Sequence, residues 1–322
     1  MKVYSDIEKL PAFTRAVVTI GTFDGVHLGH QQIIAQLKKE AQRINGQTVL
    51  VTFDPHPRKI ISTKALQLIN TLQEKIELLE QQGIDNLVVV PFTEAFSNQP
   101  ANGYIEDFLV SRFQPHTVII GYDHRFGKDR SGDFHLLEKY ARQHAFELIE
   151  IPVQVIDEAG ISSTKIREAL LNGQIEVASR FLGYDYFFEG LVTEGNKLGR
   201  TIGYPTANLQ LQTEDKLVPG NGVYAVRAAI IKQTTPDTES HLSSTRLIPP
   251  YKGMMNIGVR PTVDGTKRVI EVNIFDFDAD IYGSVLRVYL KKYLRGEQKF
   301  NGLDSLKEQL ARDRESALHY LL

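Results

Sequence analysis

Two histidines three residues apart, His27 and His30, stand in the segment 21–30, GTFDGVHLGH. An apolar, strand-like run (16–20, AVVTI) leads into it, and 31–44 (QQIIAQLKKEAQRI) carries apolar residues at helical spacing. Both imidazoles therefore fall at or just before a helix N-terminus, where unpaired backbone N–H groups and the helix dipole favour anions. In a helical first turn their spacing aims them the same way. Two nitrogen donors on one spot, with Gly21, Phe23, Asp24 and Gly25 in the turn, suit a phosphate chain. Taken alone, the same pair also suits the surface of a loop.

A second polar segment, 160–168 (GISSTKIRE), follows the apolar run 149–153 and precedes a helix expected over 165–172. Ser162, Ser163 and Thr164 offer three hydroxyls at an N-cap, and Arg167 offers a planar fork matched to phosphate oxygens. By itself this is also an ordinary cap completed by Glu168. Together the two segments resemble the His-x-Gly-His and Ile-Ser-Ser-Thr-x-x-Arg signatures of the nucleotidyltransferase superfamily. The resemblance implies that ATP is held by its triphosphate while its α-phosphorus is attacked. It assigns catalytic roles to His27, His30 and Arg167, and ATP contacts to these three with Gly21, Phe23, Asp24, Gly25, Asp123, Ser162, Ser163 and Thr164.

Two further polar turns follow apolar runs. One is 53–57 (FDPHP), the other 121–132 (GYDHRFGKDRSG), long, glycine-rich and basic as a loop over a phosphorylated substrate should be. Either one alone reads as a turn. In the resemblance the second is the loop near ATP and flavin, written Gly-x-Asn/Asp-Phe-x-Phe-Gly; His124 here replaces an aromatic. Asp54, Pro55, His56, Pro57 and Phe126 are the flavin contacts that this implies.

The segment 195–208, GNKLGRTIGYPTAN, combines three glycines that let backbone approach a ligand, Gly195, Gly199 and Gly203, with the cations Lys197 and Arg200. Thr206 and Asn208 are two apart, so on an extended chain both oxygens face one side, a pair of hard ligands for magnesium. Further on, Glu271 opens EVNIFDFD; a Glu pointing inward from a barrel strand is costly to bury unless paired or working, and a carboxylate suits a general base for a primary alcohol attacking phosphorus. A salt-bridged edge glutamate is the plainer reading. These strings resemble riboflavin kinases, with 256–262 and 294–300 extending the match. The resemblance implies that Glu271 is the base, that Thr206 and Asn208 hold Mg2+, that Gly195, Lys197, Gly199, Arg200, Gly203, Pro205, Thr206 and Asn208 contact ATP, and that Arg260, Glu271 and Arg295 contact flavin. Asn273 stands where those kinases usually have histidine.

The elements that must carry these residues follow from pattern. A chain of 322 residues is long enough for about two domains. In the first half, apolar runs at 16–20, 48–53, 86–91, 117–121 and 146–153 alternate with amphipathic stretches at 31–44, 71–82, 101–113 and 132–144. That alternation predicts a doubly wound parallel sheet with its ligand at the carboxyl ends of the strands. From about 186 the pattern becomes short alternating strands (187–192, 223–231, 252–258, 269–275, 285–294) and one helix, 305–322, which predicts a small antiparallel barrel with a C-terminal helix. The polar stretch 233–250 reads as an exposed hairpin loop. The expected domains are 1–183 and 184–322, and the resemblances imply an FMN adenylyltransferase domain for the first and a riboflavin kinase domain for the second.

Most of the chain thus resembles the bacterial bifunctional riboflavin kinase and FMN adenylyltransferase family. Riboflavin, FMN and ATP are its implied partners. The His124 and Asn273 departures also fit a domain that binds flavin without turnover. A formal net charge of −2 leaves no basic footprint for nucleic acid, and no apolar run approaches the roughly 20 residues of a membrane span. The opening residues form no signal peptide and cysteine is absent, so the expected location is the cytoplasm. Nothing in the sequence requires an oligomer.

Overall fold

The structure, a computed structural model, describes residues 1–63, 65–152, 160–195, 198–232, 246–247, 250–262 and 265–322, with backbone alone at 198, 232, 246–247, 260–262 and 265–267. It divides into two compact units, Met1–Ser163 and Thr164–Leu322. The expected boundary at 183/184 falls after the helices Ser163–Leu171 and Ile175–Leu182.

In the first unit the five apolar runs become β2 (Val17–Ile20), β3 (Thr48–Asp54), β4 (Asn86–Pro91), β5 (Thr117–Gly121) and β6 (Glu147–Ile151), and an unexpected β1 (Lys2–Tyr4) precedes them. They form one parallel sheet in the order β1-β4-β3-β2-β5-β6. Alternate residues of each strand feed two layers. Val18, Ile20, Val49 and Val51 pack with Tyr104, Ile105 and Phe108, while Val17 and Ile119 pack with Leu37 and Ala41 on the other side. Burial of both faces explains why the runs are continuously apolar and not alternating. The chain winds outward from β2 through β3 to β4, then returns to β5 on the other flank of β2. The switch point between β2 and β5 is where an open sheet of this kind takes its ligand. Helix α1 (Leu28–Ile44) starts there, and α2 (Pro57–Ile61) and α3 (Leu72–Gln81) follow β3. Val153, the last residue of the expected fifth run, lies outside the described residues.

The second unit is antiparallel: β7 (Phe187–Thr193), β8 (Ala207–Gln210), β9 (Gly222–Lys232), β10 (Arg246–Leu247), β11 (Tyr251–Thr262), β12 (Gly265–Ile274) and β13 (Val285–Arg295). Their order is β10-β9-β11-β12-β8-β7-β13, and a β9–β13 ladder closes six of them into a barrel, β10 being appended to β9. Of the expected hairpin loop over 233–250, residues 233–245 and 248–249 lie outside the described residues. Register divides the strands cleanly. Tyr224, Val226, Met255, Val272, Val288 and Leu290 share the inner face and are fully buried. The opposite face of β9 and β11 carries Ala225 and Met254, on which the C-terminal helix (Leu303–Tyr320) lays Leu310, Ala317 and Leu318.

Two candidate active sites

The turn after β2 is tight, and only one of its left-handed residues is glycine: Phe23 (φ 47°) and Val26 (φ 37°) join Gly25 (φ 90°). A β-branched residue at positive φ is strained, and such strain gathers where backbone must be aimed. Here it turns the chain into α1, whose N-cap is His27. The His27 Nδ1 accepts from the backbone N–H of His30 at 3.4 Å, which leaves Nε2 to carry the proton. The two imidazoles stack at 3.7 Å between centroids and 17° between planes, so the three-residue spacing does bring them together. The Phe23 ring also lies against His30, at 5.0 Å between centroids and tilted by 52°. Burial, then the neighbouring His27, then Lys75 hold the His30 pKa well below the usual imidazole value, so the ring is neutral at physiological pH. Its Nδ1 is buried without a hydrogen-bond partner among the described residues.

The two N-terminal motifs meet. Ser163 Oγ donates to the Asp24 carbonyl at 2.9 Å across a separation of 139 residues. Asp24 itself is 1% exposed, its carboxylate accepting from the backbone N–H groups of Ile69 (3.0 Å) and Asn70 (3.3 Å). It fixes the turn from beneath. Lys75 was not anticipated. It sits on the inward stripe of α3 with Leu78 and Leu79, and its ammonium donates to the Thr22 carbonyl (2.8 Å) and Thr52 Oγ1 (3.3 Å), placing a cation under the turn. Burial lowers its pKa, opposed by Asp24 and Asp54. The available signal was a lysine one turn before two core leucines. Arg167 lies four residues beyond Ser163 on the same helix, on one face with it.

The turn after β3 is built around a cis Asp54–Pro55 bond, and buried His56 caps α2, its Nδ1 accepting from Arg58 N–H at 3.1 Å with Pro57 following in the first turn. Asp54 is exposed. In the loop after β5, Asp123 is exposed, and Phe126 corrects its expectation: it is 5% exposed and stacked on Tyr104 at 4.9 Å. It anchors the loop and presents no free ring face to a ligand. Gly132 has no room for a Cβ above the Phe126 ring, and paired backbone bonds join Phe126 to Gly132 (3.2 and 2.9 Å).

His124 is held neutral by burial, its pKa lowered to about 4 despite the opposing Asp123. In the unfolded chain the ring titrates near 6.5. Its contribution to stability is thus complete above pH 6.5 and is lost as pH falls toward 4, because only the unfolded form takes the proton in that window. Urea midpoints for the first unit should be level above neutrality and fall on acidification, and His124→Phe should retain a larger share of its neutral-pH midpoint at pH about 5. Parallel acid slopes in the two proteins would refute this.

The second site is a cross-strand row. Ladder partners run Thr193–Asn208 (β7–β8), Asn208–Glu271 (β8–β12), Glu271–Asn256 (β12–β11), Asn256–Val223 (β11–β9) and Val223–Arg295 (β9–β13). Directly paired residues share a face, so this row shares the Ala225–Met254 side that the helix covers. Glu271 therefore points away from the barrel interior, a correction to the inward Glu expected; Val272 fills the interior instead. A cavity of 310 Å³ lies over the row, bounded by Thr206, Glu271, Asn273, Met254, Leu306 and Leu310. Met254 of β11 with Leu306 and Leu310 of the helix gives it an apolar wall, and Thr206, Glu271 and Asn273 give it a polar one. Arg295 lines it too, but both its Nε and Nη2 are engaged by Asp313 of the helix (2.8 and 2.6 Å).

The glycine-rich segment adjoins the row. A Cβ on Gly195 would meet the Asn208 amide at 2.1 Å, and one on Gly199 the Tyr204 carbonyl at 2.2 Å. Gly203 has φ 85°, and Pro205 and Arg200 are exposed. Lys197 lies outside the described residues, as does the side chain of Arg260. The hard oxygens of Thr206 and Asn208 suit a Mg2+ ion, which leaves its other positions to water and phosphate.

The chain matches two family profiles: FAD synthetase over residues 10–165 and riboflavin kinase over 182–321. It is 36% identical over 307 residues to the bifunctional riboflavin kinase/FMN adenylyltransferase of Escherichia coli K12, covering 94% of this chain and 92% of that one. The Listeria monocytogenes protein of the same name is 39% identical over 300 residues, covering 92% and 90%. A solved Streptococcus pneumoniae structure, reported as a macrolide-efflux protein, superposes with a TM-score of 0.84 at 30% identity, covering 98% and 97%. No helix among the described residues is long and apolar enough to cross a membrane. Fold, sites and matches define an ATP-using transferase of two modules acting on flavins. The chain belongs to the bifunctional riboflavin kinase/FMN adenylyltransferase family. It phosphorylates riboflavin to FMN and joins FMN to an adenylyl group to form FAD, ATP being the donor in both steps.

Proposed function

We propose that the cross-strand row of the barrel carries the kinase step and the β2–α1 turn the adenylyl transfer. The terminal ribityl hydroxyl of riboflavin loses its proton to Glu271 as its oxygen attacks the γ-phosphorus of ATP, and ADP leaves. Thr206 and Asn208, beside Glu271 in the row, hold Mg2+, which neutralises phosphate charge when bound. Gly195, Gly199, Gly203 and Pro205 bring backbone to the nucleotide and Arg200 supplies charge to its phosphates. The isoalloxazine lies in the apolar part of the 310 Å³ cavity, with Arg295 held beside it. The register that sets Asn208 and Asn256 on either side of Glu271 carries this reading.

In the adenylyl transfer the phosphate of FMN is already an anion, so its oxygen attacks the α-phosphorus of ATP without a general base, and pyrophosphate leaves. His27, His30, the backbone of 21–25, Ser162, Ser163, Thr164 and Arg167 stabilise the charge on phosphorus and leaving group. The 54–57 turn and Asp123 border the flavin and nucleotide. The functional division is placed at 183/184, the partners are small molecules only, the protein needs no oligomer, and its location is the cytoplasm, where ATP is plentiful.

Chromatography of products made from riboflavin and ATP tests the metal assignment. With magnesium, FMN should appear and then FAD. Excess chelator should cut FMN formation by about a hundredfold or more, the several kcal/mol a divalent ion contributes to phosphoryl transfer. Thr206→Ala should move half-saturation to higher magnesium concentration. Undiminished FMN formation under chelator would defeat the assignment.

A further inference from the structure

The β8–β12 ladder consists of two pairs, Glu271–Asn208 and Val272–Ala207. The next pair in register would be Asn273 with Thr206, and the ladder stops short of it. Residue 205 is a proline and has no N–H with which to hold the incoming chain. What holds it is a side chain. The Asn273 amide, in a residue 7% exposed, donates from Nδ2 to the Pro205 carbonyl at 2.7 Å. On the upstream side Tyr204 N–H donates to the Gly199 carbonyl at 2.8 Å, and Gly203 has φ 85° with no atom near where a Cβ would be. Asn273 is thus the tie from β12 to the bend that delivers Thr206. It lies two residues from Glu271, on the same face and against the same cavity.

We propose that Asn273 is a positioning residue of the kinase half, its amide fixing the Pro205 carbonyl so that Thr206 and Asn208 stand in register with Glu271. The inference rests on the kinase reading of that row. It implies that an N–H donor, not the asparagine as such, is what this position requires. A histidine, usual here in the kinases this sequence resembles, would supply one.

Three variants of the full chain test this. Asn273→Asp keeps size and removes the donor: kcat/KM for ATP in FMN formation should fall about ten- to hundredfold, the range for a lost buried hydrogen bond. Riboflavin binding, followed by quenching of flavin fluorescence, should change by less than about threefold, because no flavin-facing apolar group is altered. Asn273→His, which retains a donor, should recover most of the activity. Thermal melting and intact FMN adenylylation in the same samples report folding. Parent-like kcat/KM in Asn273→Asp, or a parallel loss of riboflavin affinity, would each overturn the proposal. The third variant, Glu271→Ala, separates the two levels. If it still makes FMN, the reading of the row fails whatever Asn273 does; if it is inactive while Asn273→Asp is untouched, this inference alone fails.

Discussion

Glu271→Ala should lower riboflavin phosphorylation by about 10²- to 10⁴-fold in kcat, the range for a general base positioned on a hydroxyl nucleophile, while adenylylation of supplied FMN stays unchanged. The primary hydroxyl of riboflavin is a poor nucleophile until its proton is taken. In the row formed by Asn208, Glu271 and Asn256, the glutamate is the one group able to take it. The row also explains why the loss should fall on kcat. In the proposed site the isoalloxazine would rest on the apolar wall of Met254, Leu306 and Leu310, which the substitution leaves in place. Product analysis from riboflavin and ATP, then from FMN and ATP, reads both halves in one preparation. Loss of both activities together, or of neither, would contradict the division of labour.

How much of this could be read from sequence depended on the range of the interaction. The parallel sheet was visible because burying both faces of a strand demands a continuous apolar run, as in 48–53 (TVLVTF), and no other fold makes that demand so often. β1 was missed because three residues at a sheet edge need little apolar character. β8 was foreseen only as extended chain after Pro205 and not as a barrel strand, because Ala207–Gln210 takes its strand geometry from β7 and β12, not from its own propensity. The same distinction governs the sites. His27 and His30 announce themselves through local spacing. Lys75 does not: the helix pattern puts it on the inward stripe with Leu78 and Leu79, but its partners Thr22 and Thr52 are 53 and 23 residues away and nothing local names them. The outward aim of Glu271 needed the full barrel register, since alternation along β12 fixes two faces but does not say which is inside.

His30→Ala should reduce FAD formation from FMN by about 10²- to 10³-fold in kcat, roughly 3–4 kcal/mol, the usual cost of removing one donor aimed at charge developing in a transition state. The ring sits in the first turn of α1, stacked on His27 at 3.7 Å and in contact with Phe23 at 5.0 Å. Its orientation is therefore set before ATP arrives, and no reorganisation is needed at the moment of reaction. Burial and the two neighbouring basic groups keep it neutral, so its service to phosphate is that of an N–H donor and not of a cation. That has a signature in pH. An imidazolium would make the rate fall as pH rises through 6.5, the ordinary value for the ring. The adenylylation rate at saturating substrates should show no such limb between pH about 6.5 and 8.5, because the ring's own titration lies below that range. His30→Gln, which restores an N–H on a shorter arm, should recover part of the loss. FMN formation from riboflavin, measured in the same variants, should remain at the parent level, since none of the barrel row is touched; a fall there, or full FAD synthesis by His30→Ala, would place the adenylyl chemistry elsewhere in the chain.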